Sequence, residues 1–157
     1  MSVLTRDEIL KAIKNGEIVI EPFNPDQVGP GSVDLTLDNK FRVFKRVHYV
    51  FHAIESAYKE FIKKCTEMVI VKPGDYFLLM PHETVLGQTK EVIKTANNIC
   101  GRLEGRSTFA RMGLLVHISA SFMQPGLPGN TQVLELSNVG NIPLALHPGE
   151  KICQFIF

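Results

Sequence analysis

Two periods of apolar residues run through this chain. In the N-terminal segment, and again over about residues 53–66, apolar side chains recur at the three- and four-residue spacing of one helix face. Nearly everywhere else they alternate over a few residues and are broken by Gly, Pro, Asn and Asp, the pattern of short strands joined by turns. The first helix is bounded by its own chemistry. Thr5 and Glu8 form a T-x-x-E capping box, Leu4 and Ile9 sit where a hydrophobic staple would, and Gly16 is a stop. The helix is therefore expected over about residues 6–15. The second window puts Ile54, Tyr58, Phe61, Ile62 and Cys65 on one face and leaves Glu55, Lys59, Glu60, Lys63 and Lys64 to solvent.

Between the two helices, IVIEPFNPDQVGPGSVDLTL reads as a strand, a Pro/Gly loop and a second strand, with Val33, Leu35 and Leu37 alternating with Asp34 and Thr36. From Glu67 onward come MVIV, YFLLM, TVLGQT, NICGRL, LLVHISA, TQVLEL, IPLAL and KICQFIF, with turns between them. No repeat, low-complexity tract or linker divides the chain. The expectation is a mainly β fold, a sandwich or barrel with two or so peripheral helices, in a single domain over residues 1–157.

Composition narrows the setting. A chain of 157 residues can bury a sizeable core. A net charge of +1 gives no global attraction to nucleic acid or to an anionic membrane, so any phosphate has to be met at a local site. No apolar run approaches the roughly 18–20 residues of a membrane span. The N-terminus is charged and lacks the apolar centre of a secretory signal. Cys65, Cys100 and Cys153 are far apart and form no C-x-x-C pair, which predicts reduced thiols in a cytoplasmic protein and no zinc cage. The zinc deaminase signature, the P-loop and the dinucleotide fingerprint are all missing.

Candidate chemistry gathers between Gly101 and Gly140. In Gly105-Arg106-Ser107-Thr108 the glycine permits a sharp turn, and Ser107 is placed to cap a short helix through Phe109, Ala110 and Arg111 to Gly113. Such a helix start offers unpaired N–H groups, two hydroxyls and Arg106 to an anion, and Arg111 lies one helical turn beyond Ser107. An ordinary capped turn with surface arginines has the same letters. In TQVLELS, Leu134 and Leu136 share one face, so Val133, Glu135 and Ser137 share the other. With the leucines in the core, Glu135 points outward onto a sheet surface that a nucleotide or a partner subunit would cover, unless solvent does. QPGLPG, residues 124–129, is a turn-rich loop, and His117 lies between the two candidate groups.

Taken together, GRS-x-x-AR-x-GL and VLEL-x-N give the chain a close resemblance to the deoxycytidine triphosphate deaminase branch of the deoxyuridine triphosphatase superfamily. VGPGSVDLTLDNKFRVF, PHETVLGQT and QVLELSNVGNIPLALHPGEKICQFIF extend the resemblance over nearly the whole length. It implies a distorted β-barrel of jelly-roll type, and a homotrimer with three sites at subunit interfaces. Arg106, Ser107 and Thr108 would bind phosphates, with Arg111 reaching in from the neighbouring subunit. Glu135 would be the general acid/base; Ser107, Arg111 and backbone groups around Ser119 and Ala120 would fix the water and the base. Mg²⁺ would accompany the triphosphate, and no zinc would be used. A carboxylate with apolar neighbours is suited to taking and giving a proton near neutral pH.

The sequence departs from that family at several points. Phe122 occupies a position where single-function deaminases carry arginine and two-function members an aromatic residue. Gln124 stands where the family has an aspartate that contacts the deoxyribose; an amide can hydrogen-bond a hydroxyl but cannot act as a base. One extra residue lies between Gly129 and Glu135; within a strand it would flip Glu135 to the other face unless a bulge absorbed it, and it is expected in the loop near Asn130. Family chains also continue into a tail whose Tyr, Lys and Gln close over the nucleotide, and that tail is not among these 157 residues. The expected activity is hydrolytic deamination of dCTP to dUTP, with onward conversion to dUMP left open by Phe122 and Gln124. A deoxyuridine triphosphatase without deaminase activity, and a catalytically silent nucleotide-binding trimer, are the alternatives.

Overall fold

The computed structural model describes residues 2–157. Helix α1 (Arg6–Lys14) starts where its capping box puts it, with the Glu8 carboxylate accepting from the Thr5 N–H at 2.8 Å and the Thr5 hydroxyl at 2.9 Å. It ends within a residue of the expected stop, beside Gly16 at φ 73°. Ile9 and Ala12 face the core, and the Leu4 N–H donates to the Phe157 carbonyl, tying the chain's beginning to its last strand.

The strands are β1 (Ile18–Glu21), β2 (Val33–Thr36), β3 (Lys40–Phe44), β4 (Thr66–Ile70), β5 (Phe77–Leu79), β6 (Thr84–Thr95), β7 (Gly101–Gly105), β8 (Leu114–Leu115), β9 (Phe122–Met123), β10 (Pro128–Asn138), β11 (Leu144–Leu146) and β12 (Lys151–Ile156). They pair antiparallel in three sheets. One has the order β4-β3-β6-β10-β8 with β1 also on β6, a second is β2-β12-β7-β9, and β11 pairs β5. The alternation expected of half-buried strands holds: Val33, Leu35 and Leu37 point inward, as do Val85, Ile93, Leu134 and Leu136. Leu103, Ile152 and Phe155 meet them from the four-stranded sheet, so one core is shared between sheets. The fold is the mainly β single domain anticipated, its wall divided into sheets rather than closed by one continuous ladder.

The second helical window is shorter and less covered than its pattern predicts. A 3₁₀ turn (Glu55–Ala57) leads into α2 (Tyr58–Cys65). Cys65 is buried and Phe61 and Ile62 are half-buried, but Ile54 and Tyr58 are each 59% exposed. The reason is topological. The helix is fastened at its C-terminal end, where Phe61 packs near Phe44 and the Thr66 hydroxyl donates to the Ile62 carbonyl, while its opening turn borders an apolar hollow of about 430 Å³.

The stretch around Asn130, expected to be a loop, lies inside β10, where the ladder is bulged. Pro128 lies opposite Lys94 and Asn130 opposite Ile93, so Gly129, at φ 101°, is the bulged residue. A second irregularity falls between Thr131 and Val133, after which Leu134, Glu135 and Leu136 pair regularly with Gly87, Leu86 and Val85. No helix among the described residues is long and apolar enough to cross a membrane.

Candidate active site

Strand β10 sets the first half of the site. Leu134 and Leu136 are fully buried, which turns Glu135 to the outer surface of the sheet. There it shares a transverse row with Leu86, Arg42 and Met68, directly opposed residues on successive strands. The segment 116–118 holds it in place. The Glu135 N–H donates to the Val116 carbonyl at 3.0 Å, and the Ile118 N–H donates to Glu135 Oε2 at 2.7 Å. Its other carboxylate oxygen has no hydrogen-bond partner among the described residues. Beside it, exposed Val133 borders a groove of about 160 Å³ that also touches Leu86, Gln88 and Arg42.

The turn after β7 sets the second half. α3 (Ser107–Ala110) is a single turn whose N-cap is Arg106, not Ser107: the Arg106 carbonyl accepts from the Phe109 and Ala110 N–H groups. The expected serine cap is thus corrected. Gly105 remains extended within β7, which shifts the helix start by one residue and places Ser107 as the first helical residue with its hydroxyl free of capping duty. Ser107, Thr108 and Arg111 are all exposed, and none bonds to Glu135 within one chain among the described residues. Arg106 is placed differently. Its Nη1 donates to the Lys151 carbonyl at 2.7 Å and its Nε lies 3.4 Å from Asp34 Oδ1.

Ser119, Ala120 and Gln124 are exposed on the stretch that follows Ile118. Gln124 begins a loop pinned to the end of β6, where the Gly126 N–H donates to the Ala96 carbonyl and the Leu127 N–H to the Thr95 hydroxyl. His117 Nε2 lies 3.6 Å from Glu104 Oε2, while its Nδ1 is buried without a partner. Leu115, Ile118, Phe122 and Val139, from the same stretches of chain, are large apolar side chains left exposed. The structure therefore joins Glu135 to the 116–118 segment and leaves Ser107, Thr108 and Arg111 as a separate exposed group.

Two polar residues of consequence were not singled out from the sequence. Glu91, only 2% exposed, accepts from the Gln27 amide, the Thr36 N–H and the Thr36 hydroxyl. Its signal was the alternation of T-V-L-G-Q-T-K-E-V-I-K-T, which puts it on the face of Val85 and Ile93. Asp34 was read only as a polar position in a strand. Among the described residues no three His, Cys, Asp or Glu side chains group as a metal cage. The turn supplies hydroxyl and guanidinium donors, which suit an anion rather than a cation, so these residues do not by themselves make a Mg²⁺ site. The cysteines are free thiols; burial pushes the Cys153 thiol far up, with Glu91 and Asp34 adding to the effect.

A family model described as dCTP deaminase-like matches residues 3–157. The "dCTP deaminase, dUMP-forming" of Methanobrevibacter smithii is 35% identical over 158 residues, covering 100% of this chain and 80% of that protein. The protein of the same name from Salinispora tropica is 43% identical over 152 residues, covering 97% of this chain and 77% of its own length. Among solved structures, the 2'-deoxycytidine 5'-triphosphate deaminase of Agrobacterium tumefaciens superposes with a TM-score of 0.71 at 18% identity. That match covers 98% of this chain, which spans just 46% of the solved one.

Proposed function

This chain belongs to the dCTP deaminase-like family, and on that premise we propose that it hydrolyses dCTP to dUTP and ammonia and carries the product on to dUMP and pyrophosphate. The observation that carries the reading is Glu135, an outward carboxylate with one oxygen fixed by the Ile118 N–H and the other open to a ligand. Glu135 takes a proton from water, the resulting hydroxide adds to C4 of cytosine, and the proton passes to N3. The carboxylate then takes the proton of the new C4 hydroxyl and delivers it to the amino group. The C4–N4 bond breaks, ammonia leaves and the C4 carbonyl of uracil remains. A glutamate held by one backbone N–H can serve both transfers without turning its ring of contacts over.

Ser107, Thr108 and Arg111 meet the triphosphate, with Mg²⁺ arriving on the phosphate oxygens as part of the substrate. Since Arg111 and Glu135 make no contact within one chain, the site is completed by a second copy, in a homotrimer whose contacts cover Ile118, Phe122 and their apolar neighbours. Ser119, Ala120 and Gln124 line the base and sugar. The chemistry is independent of zinc and the setting cytoplasmic. The dUMP-forming relatives and the aromatic Phe122 support the second hydrolysis, in which water attacks the α-phosphorus and pyrophosphate leaves.

The test is one incubation with dCTP and Mg²⁺, in which ammonia and separated nucleotides are followed for the native protein and Glu135→Gln. Ammonia with dUTP and then dUMP is expected from the native protein, and a loss of about 10²- to 10⁴-fold from the variant. Hydrolysis of added dUTP without ammonia from dCTP would select a triphosphatase instead. Binding of dCTP by calorimetry with no product would select a nucleotide-binding module.

A further inference from the structure

Asn138 closes β10 three residues beyond Glu135, fully buried, and each of its polar groups has a partner. The His82 N–H donates to its carbonyl at 2.7 Å, and its own N–H donates to the Glu83 carbonyl at 3.0 Å. Its side-chain Nδ2 donates to the Leu79 carbonyl at 3.2 Å and the Ile142 carbonyl at 2.9 Å, while Oδ1 accepts from the Gly140 N–H at 3.0 Å. A buried amide satisfied on every side is a rigid point. Against it lies the end of the turn that carries Arg111. Leu114 pairs with Asn138 in the β8–β10 ladder, and the Val139 N–H donates to the Gly113 carbonyl at 2.9 Å. The two backbones lie closer than side chains allow. A Cβ on Gly113, at φ 90°, would stand 2.8 Å from the Gly140 nitrogen; one on Gly140 would stand 3.2 Å from the Met112 carbonyl oxygen. The helix α3 is a single turn, too short to hold its own pose. The Met112 and Gly113 N–H groups donate back to the Phe109 and Ala110 carbonyls at 3.0 Å each, so the turn and the glycine crossing move together.

We propose that Asn138 is a positioning residue for Arg111: by fixing Gly140 it clamps the Gly113–Gly140 crossing, and so sets the backbone from which the Arg111 guanidinium reaches the nucleotide. The inference rests on the deaminase reading, in which Arg111 meets the substrate, and adds how that side chain is aimed. One strand then serves both groups, since β10 carries Glu135 directly and fixes Arg111 through its last residue. A merely structural asparagine would cost stability and nothing more. A positioning one costs turnover in folded protein, and does so only while Arg111 is present.

The experiment compares the native protein with Gly140→Ala, Asn138→Ser, Arg111→Gln and the Gly140→Ala/Arg111→Gln double variant. It measures kcat and KM for dCTP, calorimetric affinity for dCTP, and thermal melting. Gly140→Ala is the gentler probe. Gly140 lies outside the left-handed region, so its new methyl strains no backbone and presses on the Met112 carbonyl beside Arg111. It is expected to lower kcat/KM and weaken dCTP binding about 3- to 10-fold, the effect of a small misplacement at a reacting site, with melting within about 3 °C of native. Asn138→Ser loses both amide donations and should show a similar loss per folded molecule at a lower melting temperature. The double variant should fall within about twofold of Arg111→Gln alone, because an absent guanidinium cannot be misaimed. Native kcat/KM and affinity in Gly140→Ala overturn the proposal. So does a Gly140→Ala loss that multiplies in full with that of Arg111→Gln, or an Asn138→Ser loss that vanishes once corrected for the folded fraction. A native protein that binds dCTP but releases no ammonia overturns the deaminase reading alone, since the affinity series still reads the clamp. A native protein that neither binds nor converts dCTP overturns both.

Discussion

Glu91 and Glu135 lie on adjacent strands of one sheet and face opposite ways. Glu91 points into the space between sheets, and its carboxylate accepts three donors from Gln27 and Thr36. Glu135 points outward and uses a single oxygen, on the Ile118 N–H. Burial accounts for the difference. A carboxylate taken from water is tolerated only when its lone pairs are filled, and a filled carboxylate has nothing to offer a substrate. The half-buried one has given up just enough freedom to be aimed. Under the proposed reaction, the richer hydrogen-bond network marks the structural acid and the sparser one the carboxylate proposed for the chemistry.

The sharpest way to break that contrast is to remove each carboxylate and read two quantities. Glu135→Gln should lose about 10²- to 10⁴-fold in ammonia release while its unfolding free energy stays within about 0.5 kcal/mol of native. A large loss of stability there would mean that Glu135 is holding the fold and that the chemistry lies elsewhere. Glu91→Leu should do the reverse. It leaves the Thr36 N–H and the Thr36 hydroxyl without an acceptor and takes one of two acceptors from the Gln27 amide, at a cost of about 2–6 kcal/mol by urea denaturation, given roughly 1–3 kcal/mol per unsatisfied buried group. Turnover per folded molecule should remain near native. If it fell as far as in Glu135→Gln, Glu91 would belong to the reaction after all.

A smaller effect is expected at Gln124, which tests the open face without touching Glu135. An amide there can hold the sugar but cannot take a proton from the second water. dUTP should therefore accumulate transiently before dUMP in a time course of the native protein. Gln124→Asp should supply a base and shrink that pool, with a rise of about tenfold in the second step. A variant that leaves the dUTP transient unchanged would detach residue 124 from pyrophosphate release.

Local patterns were legible before the structure, and long-range partnerships were not. The α1 capping box, the alternation of Val33, Leu35 and Leu37 and the outward turn of Glu135 each follow from a few consecutive residues, whereas the bulge at Gly129 stands where a loop is expected. Glu91 is open to the same argument, but the apolar run TVLGQT predicts a strand that ends near Thr89, whereas β6 runs on to Thr95. The engagement of Arg106 with Asp34 had no local signal, because it depends on β2 and β7 both pairing with β12. The second helix forms within its expected window, but its cover was not legible, for a related cause. Its pattern of Ile54, Tyr58, Phe61 and Ile62 predicts a face but not what packs against it, and only the C-terminal part of that face meets another element.

A third carboxylate separates the two variables in the comparison. Glu8 is hydrogen-bonded like Glu91 but lies fully in solvent, and the Thr5 N–H and then the Thr5 hydroxyl hold its carboxyl below the ordinary glutamate range. A group depressed in the folded state stabilises it above the unfolded value, and loses that effect as pH falls through the folded one. The start of α1 should therefore fray on acidification within the carboxylate range. The loss should be small, because water replaces each lost contact at an exposed cap. Hydrogen-exchange protection factors at Arg6–Ile9 would read it, against Glu8→Gln, in which the amide oxygen can still accept and the acid dependence should vanish. If protection at these amides fell as steeply as at the Thr36 N–H in Glu91→Leu, the number of donors rather than burial would govern what a carboxylate is worth to this fold.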